Sequence, residues 1–245
     1  MRKNSNSVSK LFSNSEEFYK SVEQEYDLDY TPSHKAYLEK ISKHTLTIAI
    51  GPAGTGKTLF AVKAALDMLK KHQTNQVVLL RPPIEMKGMA MGYLPGSIEE
   101  KNEAWLAPFF GVMEELEHKS TISKYLDEGK IITPAIPYVR GMTFRDSVVL
   151  IDEAQNLGAE NLLTLLTRIG KDAKCIVTGD LKQIDVKLRD SGLHETINRL
   201  HKLKSVAIHE FTSEDIKRSG FAKDVVEMFE AEKEAIEEFN FKLKY

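Results

Sequence analysis

The chain has 245 residues, of which 42% are hydrophobic and 29% are charged, and its formal net charge is −2. These are the proportions of an ordinary globular protein, and the near-neutral total excludes any argument for nucleic-acid binding from overall charge. One cysteine, Cys175, excludes an intramolecular disulfide and a cysteine zinc cluster, and no apolar run reaches the length of about eighteen residues that a membrane span needs. We therefore expect a cytoplasmic protein.

In chain order, residues 1–15 are rich in Ser, Asn and Lys and are predicted to form a disordered tail, while residues 16–245 are predicted to form one domain. Apolar runs then alternate with helix-favouring segments. The predicted strands lie at residues 46–50, 77–80, 148–151, 175–178 and 206–209. The predicted helices lie within 16–44 and at 59–69, 159–169 and 222–240. This alternation predicts an α/β fold with a mostly parallel sheet and helices on both faces.

A glycine-rich segment between the first predicted strand and the next helix matches the phosphate-binding loop. It consists of Gly51, Pro52, Ala53, Gly54, Thr55, Gly56, Lys57 and Thr58. Glycines let such a loop curl so that backbone N–H groups face phosphate oxygens, and the helix N-terminus adds positive potential. Lys57 is expected to reach the β- and γ-phosphates, and the Thr58 hydroxyl to ligate magnesium. Because the strand before and the helix after are the context that this motif requires, the segment predicts a nucleotide site rather than a simple turn.

The predicted strand at 148–151 ends in two carboxylates, Asp152 and Glu153. A strand holds such groups rigidly at the edge of a sheet, where Asp152 is expected to hold magnesium, usually through water. Glu153 is placed to orient or polarise the attacking water, as in ATPases that carry their own water-activating acid. Taken alone, the pair could be solvated acids that cap a strand. Together with the phosphate-binding loop, it predicts a hydrolytic magnesium–nucleotide site.

A polar segment, Thr-Gly-Asp-Leu-Lys-Gln at 178–183, follows the next predicted strand. Gly-Asp at this place is often only a turn. A polar group at the end of that strand can also contact the γ-phosphate or the attacking water. Gln183 is our candidate for this contact because a neutral amide both donates and accepts hydrogen bonds.

The combined motifs resemble the PhoH-like ATPases, the phosphate-starvation-inducible type related to superfamily 1 helicases, over roughly residues 30–230. Besides the segments above, the resemblance rests on Arg-Pro at 81–82, Gly-Tyr-Leu-Pro-Gly at 92–96, residues 138–143, 150–156, 166–170 and 178–185, and Ser-Gly-Leu at 191–193. It implies a RecA-like core, magnesium-dependent ATP hydrolysis and a homo-oligomeric ring, with a hexamer expected. Some relatives act on RNA through a fused domain. This short chain resembles the phage-encoded members, which implies the host cytoplasm.

The family usually places a glutamine that reads adenine before the first strand, and His34 stands at that position here. This departure puts adenine specificity in doubt. His34 either hydrogen-bonds or stacks with the base, or it is an exposed histidine at the start of a helix.

Phosphoryl transfer is strongly accelerated by an arginine directed at the γ-phosphate. The sequence offers four candidates, which are Arg81, Arg140, Arg168 and Arg218. Arg218 lies in a segment, 211–218, that resembles the family's late motif and is a candidate for action within its own chain. Arg168 ends the helix after the acidic strand, where it can face a neighbouring subunit. Each arginine taken alone is more often a salt-bridge or solvated residue.

The sequence thus predicts an ATPase whose hydrolysis drives an action on RNA or single-stranded nucleic acid. The ATPase prediction rests on residues, whereas the nucleic-acid prediction rests on family resemblance alone. Two alternatives stay open: a nucleotide-gated regulatory binding module with slow turnover, and a small-molecule kinase. No membrane partner is expected.

Overall fold

The computed structural model describes residues 30–82, 98–181 and 191–216, and for residues 98–105 it describes the backbone only. The predicted tail at 1–15, the predicted helix at 222–240, Gln183 and Arg218 lie outside the described residues. No helix within the described ranges has the length and hydrophobicity needed to cross a membrane.

Helices and strands alternate along the chain. The helices are α1 (Pro32–Lys43), α2 (Lys57–Lys70), α3 (Ile98–Leu116), α4 (Lys119–Asp127), α5 (Ala159–Leu166) and α6 (Gly192–Leu200). The strands are β1 (Leu46–Ile50), β2 (Gln76–Leu80), β3 (Ile131–Ile132), β4 (Ser147–Ile151), β5 (Lys174–Gly179) and β6 (Val206–Glu210). Short 3₁₀ turns lie at Ile136–Val139, Ala154–Asn156 and Ser213–Asp215.

The six strands form one sheet in the order β3-β2-β4-β5-β1-β6, and every pairing is parallel. In a parallel sheet all carboxyl ends lie on one edge, where ligands of such folds bind. Strand β5 separates β1, which leads into the phosphate-binding loop, from β4, which leads into Asp152 and Glu153. The register pairs Ile50 of β1 with Gly179 of β5. The α/β, RecA-like P-loop fold that the sequence predicts is thereby confirmed.

Two hydrophobic clusters cover the two faces of the sheet. On one face, alternate strand residues such as Val77 and Leu150 pack with the apolar residues of α1, α2, α3 and α4. On the other face, their neighbours such as Val78 and Val149 pack with α5 and α6. Strands β1 and β4 are buried along their whole length. This explains why they are continuously apolar in sequence rather than alternating.

The sequence placed five of the six strands within one residue of their observed ends, and it missed short elements. Strand β3 has 2 residues, too few for a hydrophobic pattern. The sequence predicts no helix at α6. For residues 84–135, where α3 and α4 lie, it indicates helical stretches and loops without definite bounds. Helix α5 ends at Leu166, before the predicted residue 169, because Phe144 hydrogen-bonds both Arg168 O and the Gly170 N–H. These bonds draw the chain out of the helix and alongside the residues that precede β4.

Candidate active site

The loop between β1 and α2 curls through three glycines with positive φ. Gly51, Gly54 and Gly56 have φ values of 141°, 84° and 81°, which L residues with side chains rarely adopt. A Cβ on Gly51 would also lie 2.5 Å from Phe211 O, so this position needs glycine for space as well. Gly56 caps α2 without a side-chain hydrogen bond. The first backbone N–H groups of a helix lack partners within the helix, and an anion is a suitable acceptor for them.

Lys57 bends across the mouth of the loop. Its Nζ donates to Gly51 O and Pro52 O, each at 2.6 Å. These bonds hold the ammonium group above the cradle formed by the glycines, and Lys57 lines the pocket described below. A single fixed cation at this place can meet the charge of the outer phosphates of a nucleotide.

Asp152 is the centre of a hydroxyl–carboxylate cluster at the carboxyl ends of β4 and β5. It is 4% exposed. Thr58 Oγ1 donates to its Oδ1 at 3.0 Å, and Thr178 Oγ1 donates to the same oxygen. Because the Thr58 proton is directed at Asp152, the lone pairs of the Thr58 oxygen face away from it. Hydroxyl and carboxylate oxygens are the ligands that Mg²⁺ prefers, so Thr58 and Asp152 fit the magnesium role predicted for them.

Glu153 follows in a left-handed backbone conformation, with φ of 54°. Its Oε2 accepts a hydrogen bond of 2.6 Å from Gln155 Nε2. Burial and, next, the neighbouring Asp152 carboxylate raise the pKa of Glu153 above its usual value. A carboxylate that is fixed in place and has a raised pKa is suited to accept a proton from water.

Gln155 is a buried residue of the candidate site to which the sequence assigns no role. It is 1% exposed. Its amide nitrogen holds Glu153, and its Oε1 accepts the Asp180 N–H at 3.1 Å. A Cβ on Gly179 would lie 2.8 Å from the same Oε1, so glycine there makes room for the amide. Gln155 therefore connects Glu153 to the end of β5. The feature of the sequence that could have indicated this role is an amide side chain two residues after Glu153.

These groups surround a pocket of about 290 Å³. Small-ligand pockets are typically roughly 300 to 1,000 Å³, so its size fits part of a nucleotide. Its polar wall includes Lys57, Thr58, Arg81, Asp152, Glu153 and Asp180, and its apolar wall includes Pro108 and Val112 of α3. The sheet thus brings the loop and the acidic pair into one pocket, as the sequence predicts.

His34 lies beneath the loop rather than on the surface. It is 2% exposed, so the alternative of an exposed histidine is wrong. The Thr31 N–H donates to Nδ1 at 3.1 Å, so Nε2 carries the ring proton and donates to Thr55 O at 3.0 Å. The ring also stacks on Phe60, with the centroids 4.0 Å apart. Contact of His34 with a base stays a prediction.

The candidate arginines occupy different places. Arg81 lies in the pocket, and Arg140 is exposed. Arg168 O accepts the N–H of Phe144, a residue that precedes β4, at the sheet edge opposite the loop. The 5 residues of β4 span roughly 16 Å at about 3.3 Å per residue. Arg168 is therefore too distant to act on the pocket of its own chain.

The profile of the family described as PhoH-like protein matches residues 29–230. A PhoH-like protein of Mycobacterium tuberculosis is 35% identical over 200 residues, covering 81% of this chain and 56% of that protein. A PhoH-like protein of Synechocystis is 34% identical, and the match covers 80% of this chain and 60% of that protein. Protein PhoH of Escherichia coli is 33% identical, and the match covers 76% of this chain and 53% of that protein. The chain therefore spans little more than half the length of these relatives.

Among solved structures, the Pif1 helicase of Candida albicans is similar, with a TM-score of 0.37 and 14% identity. The match covers 75% of this chain and 40% of the helicase.

Proposed function

This chain belongs to the PhoH-like protein family, and we propose that it binds ATP with magnesium, hydrolyses it, and couples hydrolysis to an action on RNA or single-stranded nucleic acid. The observation that supports hydrolysis best is the position of three neighbouring side chains: Thr58 hydrogen-bonds Asp152, and Glu153 follows Asp152 in the chain. A residue for the metal and a base for water stand side by side in the pocket that the phosphate-binding loop borders.

The chemistry follows from the positions of the side chains. The backbone N–H groups of the loop and Lys57 bind the phosphates, while Thr58 and Asp152 hold the metal. Magnesium supplies charge neutralisation at the β- and γ-phosphates when it is bound. Glu153, oriented by Gln155, takes the proton of the water that attacks the terminal phosphorus, while the bond from that phosphorus to the β–γ bridging oxygen breaks and ADP leaves. Gln183 is proposed to contact the same phosphate or water. His34 is proposed to support the loop through Thr55 O, with contact to the base as its alternative role.

The coupling to nucleic acid is supported by family resemblance alone, and it is tested by phosphate release. We expect single-stranded RNA or DNA to raise the turnover number with MgATP. Tight ATP binding with negligible turnover under all conditions would favour the regulatory binding module instead. A phosphorylated acceptor in place of free phosphate would favour the small-molecule kinase.

We also propose a homo-oligomeric ring, with a hexamer expected, in the cytoplasm of the cell or infected host. Arg168 supports the ring because this residue lies far from the pocket of its own chain and can contribute to the pocket of a neighbouring subunit. Light scattering at micromolar concentration, with magnesium and a nonhydrolysable ATP analogue, should give the mass of an oligomer. Lys57→Ala subunits, which keep Arg168, should restore activity to Arg168→Ala subunits on mixing. A monomer, or no restoration, would contradict this part of the proposal.

Arg218 is the candidate for contact with the γ-phosphate within its own chain.

A further inference from the structure

Arg81 is held against the acidic pair by the sheet itself. It directly follows β2, and the Asp152 N–H donates to Leu80 O at 3.0 Å, so the two strand ends lie side by side. One terminal nitrogen of the guanidinium contacts each of the two carboxylates. Nη1 lies 3.4 Å from Asp152 Oδ2, and Nη2 lies 3.4 Å from Glu153 Oε1. The Arg81 side chain is 15% exposed, so water screens these contacts weakly.

The two oxygens of Asp152 have different partners. Oδ1 accepts from the hydroxyls of Thr58 and Thr178, whereas Oδ2 faces Arg81. A divalent cation beside Thr58 draws on the charge of this carboxylate, directly or through water. A guanidinium that already neutralises the carboxylate weakens this attraction, and its own positive charge repels the cation. Arg81 in this position and a metal ion therefore compete for Asp152.

The same pocket offers Arg81 a second partner. Among the described residues, Arg81 is the arginine that lines the pocket together with the loop and Lys57. Its planar fork of N–H donors suits phosphate oxygens as well as carboxylates. A guanidinium displaced from the acids would thus remain within the cavity that the loop borders.

We propose that Arg81 is a displaceable counter-charge. It offsets part of the negative charge of Asp152 and Glu153, is displaced from them when magnesium and nucleotide bind, and then contacts the terminal phosphate. This inference rests on the proposed function. It assigns Arg81 two opposed effects, because the residue weakens metal binding and strengthens the hydrolytic step. A merely structural ion pair would have neither effect.

Mn²⁺ binding without nucleotide, followed by electron paramagnetic resonance, measures the first effect, and the turnover number at saturating MgATP measures the second. We expect Arg81→Gln to bind Mn²⁺ about tenfold more tightly than wild type, because one opposing charge is gone. Its turnover number should fall roughly a hundredfold or more. Arg81→Lys keeps the charge but loses the fork, so it should bind Mn²⁺ like wild type while turnover still falls.

Arg199→Gln is the matched control, because Arg199 is 75% exposed and pairs with Glu195 on α6. It should change neither quantity. Unchanged or weaker Mn²⁺ binding in Arg81→Gln, or full turnover in both Arg81 variants, would overturn the inference. Failure of the proposed function is a different result, namely no phosphate release by wild type. Tighter Mn²⁺ binding by Arg81→Gln would support the counter-charge even then.

Discussion

Buried polar side chains collect in two neighbouring regions, around Asp152 and Glu153 and around His34 and His209. In the first region, the acidic pair, Lys57 and Arg81 are charged and line a pocket. In the second, which we call the histidine cluster, five rings pack face to face or edge to face beneath the loop, namely those of His34, Tyr37, Phe60, His209 and Phe211.

The histidine cluster is closed by contacts within the chain. His209 is 5% exposed, its Nε2 lies 3.1 Å from Ser33 Oγ, and its ring lies 4.4 Å from that of Phe211. Phe211 in turn lies directly against Gly51, and His34 bonds to Thr55 O. The start and the middle of the phosphate-binding loop therefore rest on this cluster.

The comparison shows a division of labour between the two regions. Charged side chains that face a pocket are stabilised when a ligand of complementary charge binds. Neutral rings that pack together and hydrogen-bond to backbone atoms instead hold a loop in one conformation. Substitutions in the acidic region should therefore change chemistry, and those in the histidine cluster should change stability.

The largest effect is expected from Lys57→Ala. Removing the cation at the mouth of the loop should lower phosphate release by roughly a thousandfold or more and sharply weaken nucleotide binding. Steady-state phosphate release and binding of a fluorescent ATP analogue check this. Lys63→Ala, on the same helix and paired with Asp67 at 2.7 Å, is the control and should stay active. Phosphate release at the wild-type rate in Lys57→Ala would show that the active site is wrongly assigned.

Glu153→Gln should separate chemistry from binding. The amide keeps the shape but cannot take a proton, so turnover should fall roughly a hundredfold to ten-thousandfold while nucleotide binding is kept. Asp152→Asn should instead weaken metal binding. Titrations with nucleotide and with Mn²⁺ distinguish the two. Normal turnover with lost binding in Glu153→Gln would show that the roles of the two acids are wrongly assigned.

His34→Ala tests whether position 34 supports the loop or reads the base. Loss of the bond to Thr55 O and of the stacking on Phe60 should lower the free energy of unfolding by about 2 kcal/mol and weaken nucleotide binding a few-fold. His34→Gln keeps a donor and should recover part of both. Urea unfolding and nucleotide titrations measure the effects. A changed preference between ATP and GTP at unchanged stability would instead assign His34 to the base.

Near neutral pH, the smallest effect should come from the protonation of His209, which becomes large only as the pH falls. Burial, and next the Lys40 ammonium, lower its pKa from 6.5 to about 4. The unfolded chain therefore binds a proton at a pH where the folded chain does not, and stability falls as pH drops from 6.5 toward 4. The loss is at most about 1.4 kcal/mol per pH unit. Urea unfolding of wild type between pH 7.5 and 4.5 should show a steeper loss than that of His209→Gln. Equal slopes would contradict it.

Five of the six strands, the phosphate-binding loop and the acidic pair could be predicted from the sequence. Continuous apolar runs predict buried parallel strands, and the loop motif is contiguous, so Gly51 to Thr58 and Asp152 with Glu153 could be assigned locally. These features depend on neighbours along the chain. The periodicity of a segment reflects its burial, and burial on both faces is the same for many strand orders.

The partners of Arg81, Gln155 and His34 were decided by tertiary structure. Arg81 meets Asp152 because β2 pairs with β4, and Gln155 meets Asp180 because β5 is the next strand. His34 meets Thr55 because α1 packs on α2 beside the loop. The hydrophobic pattern that predicts each strand does not specify which strand lies beside it. The chemical environment of these three side chains therefore exists only once the sheet is assembled.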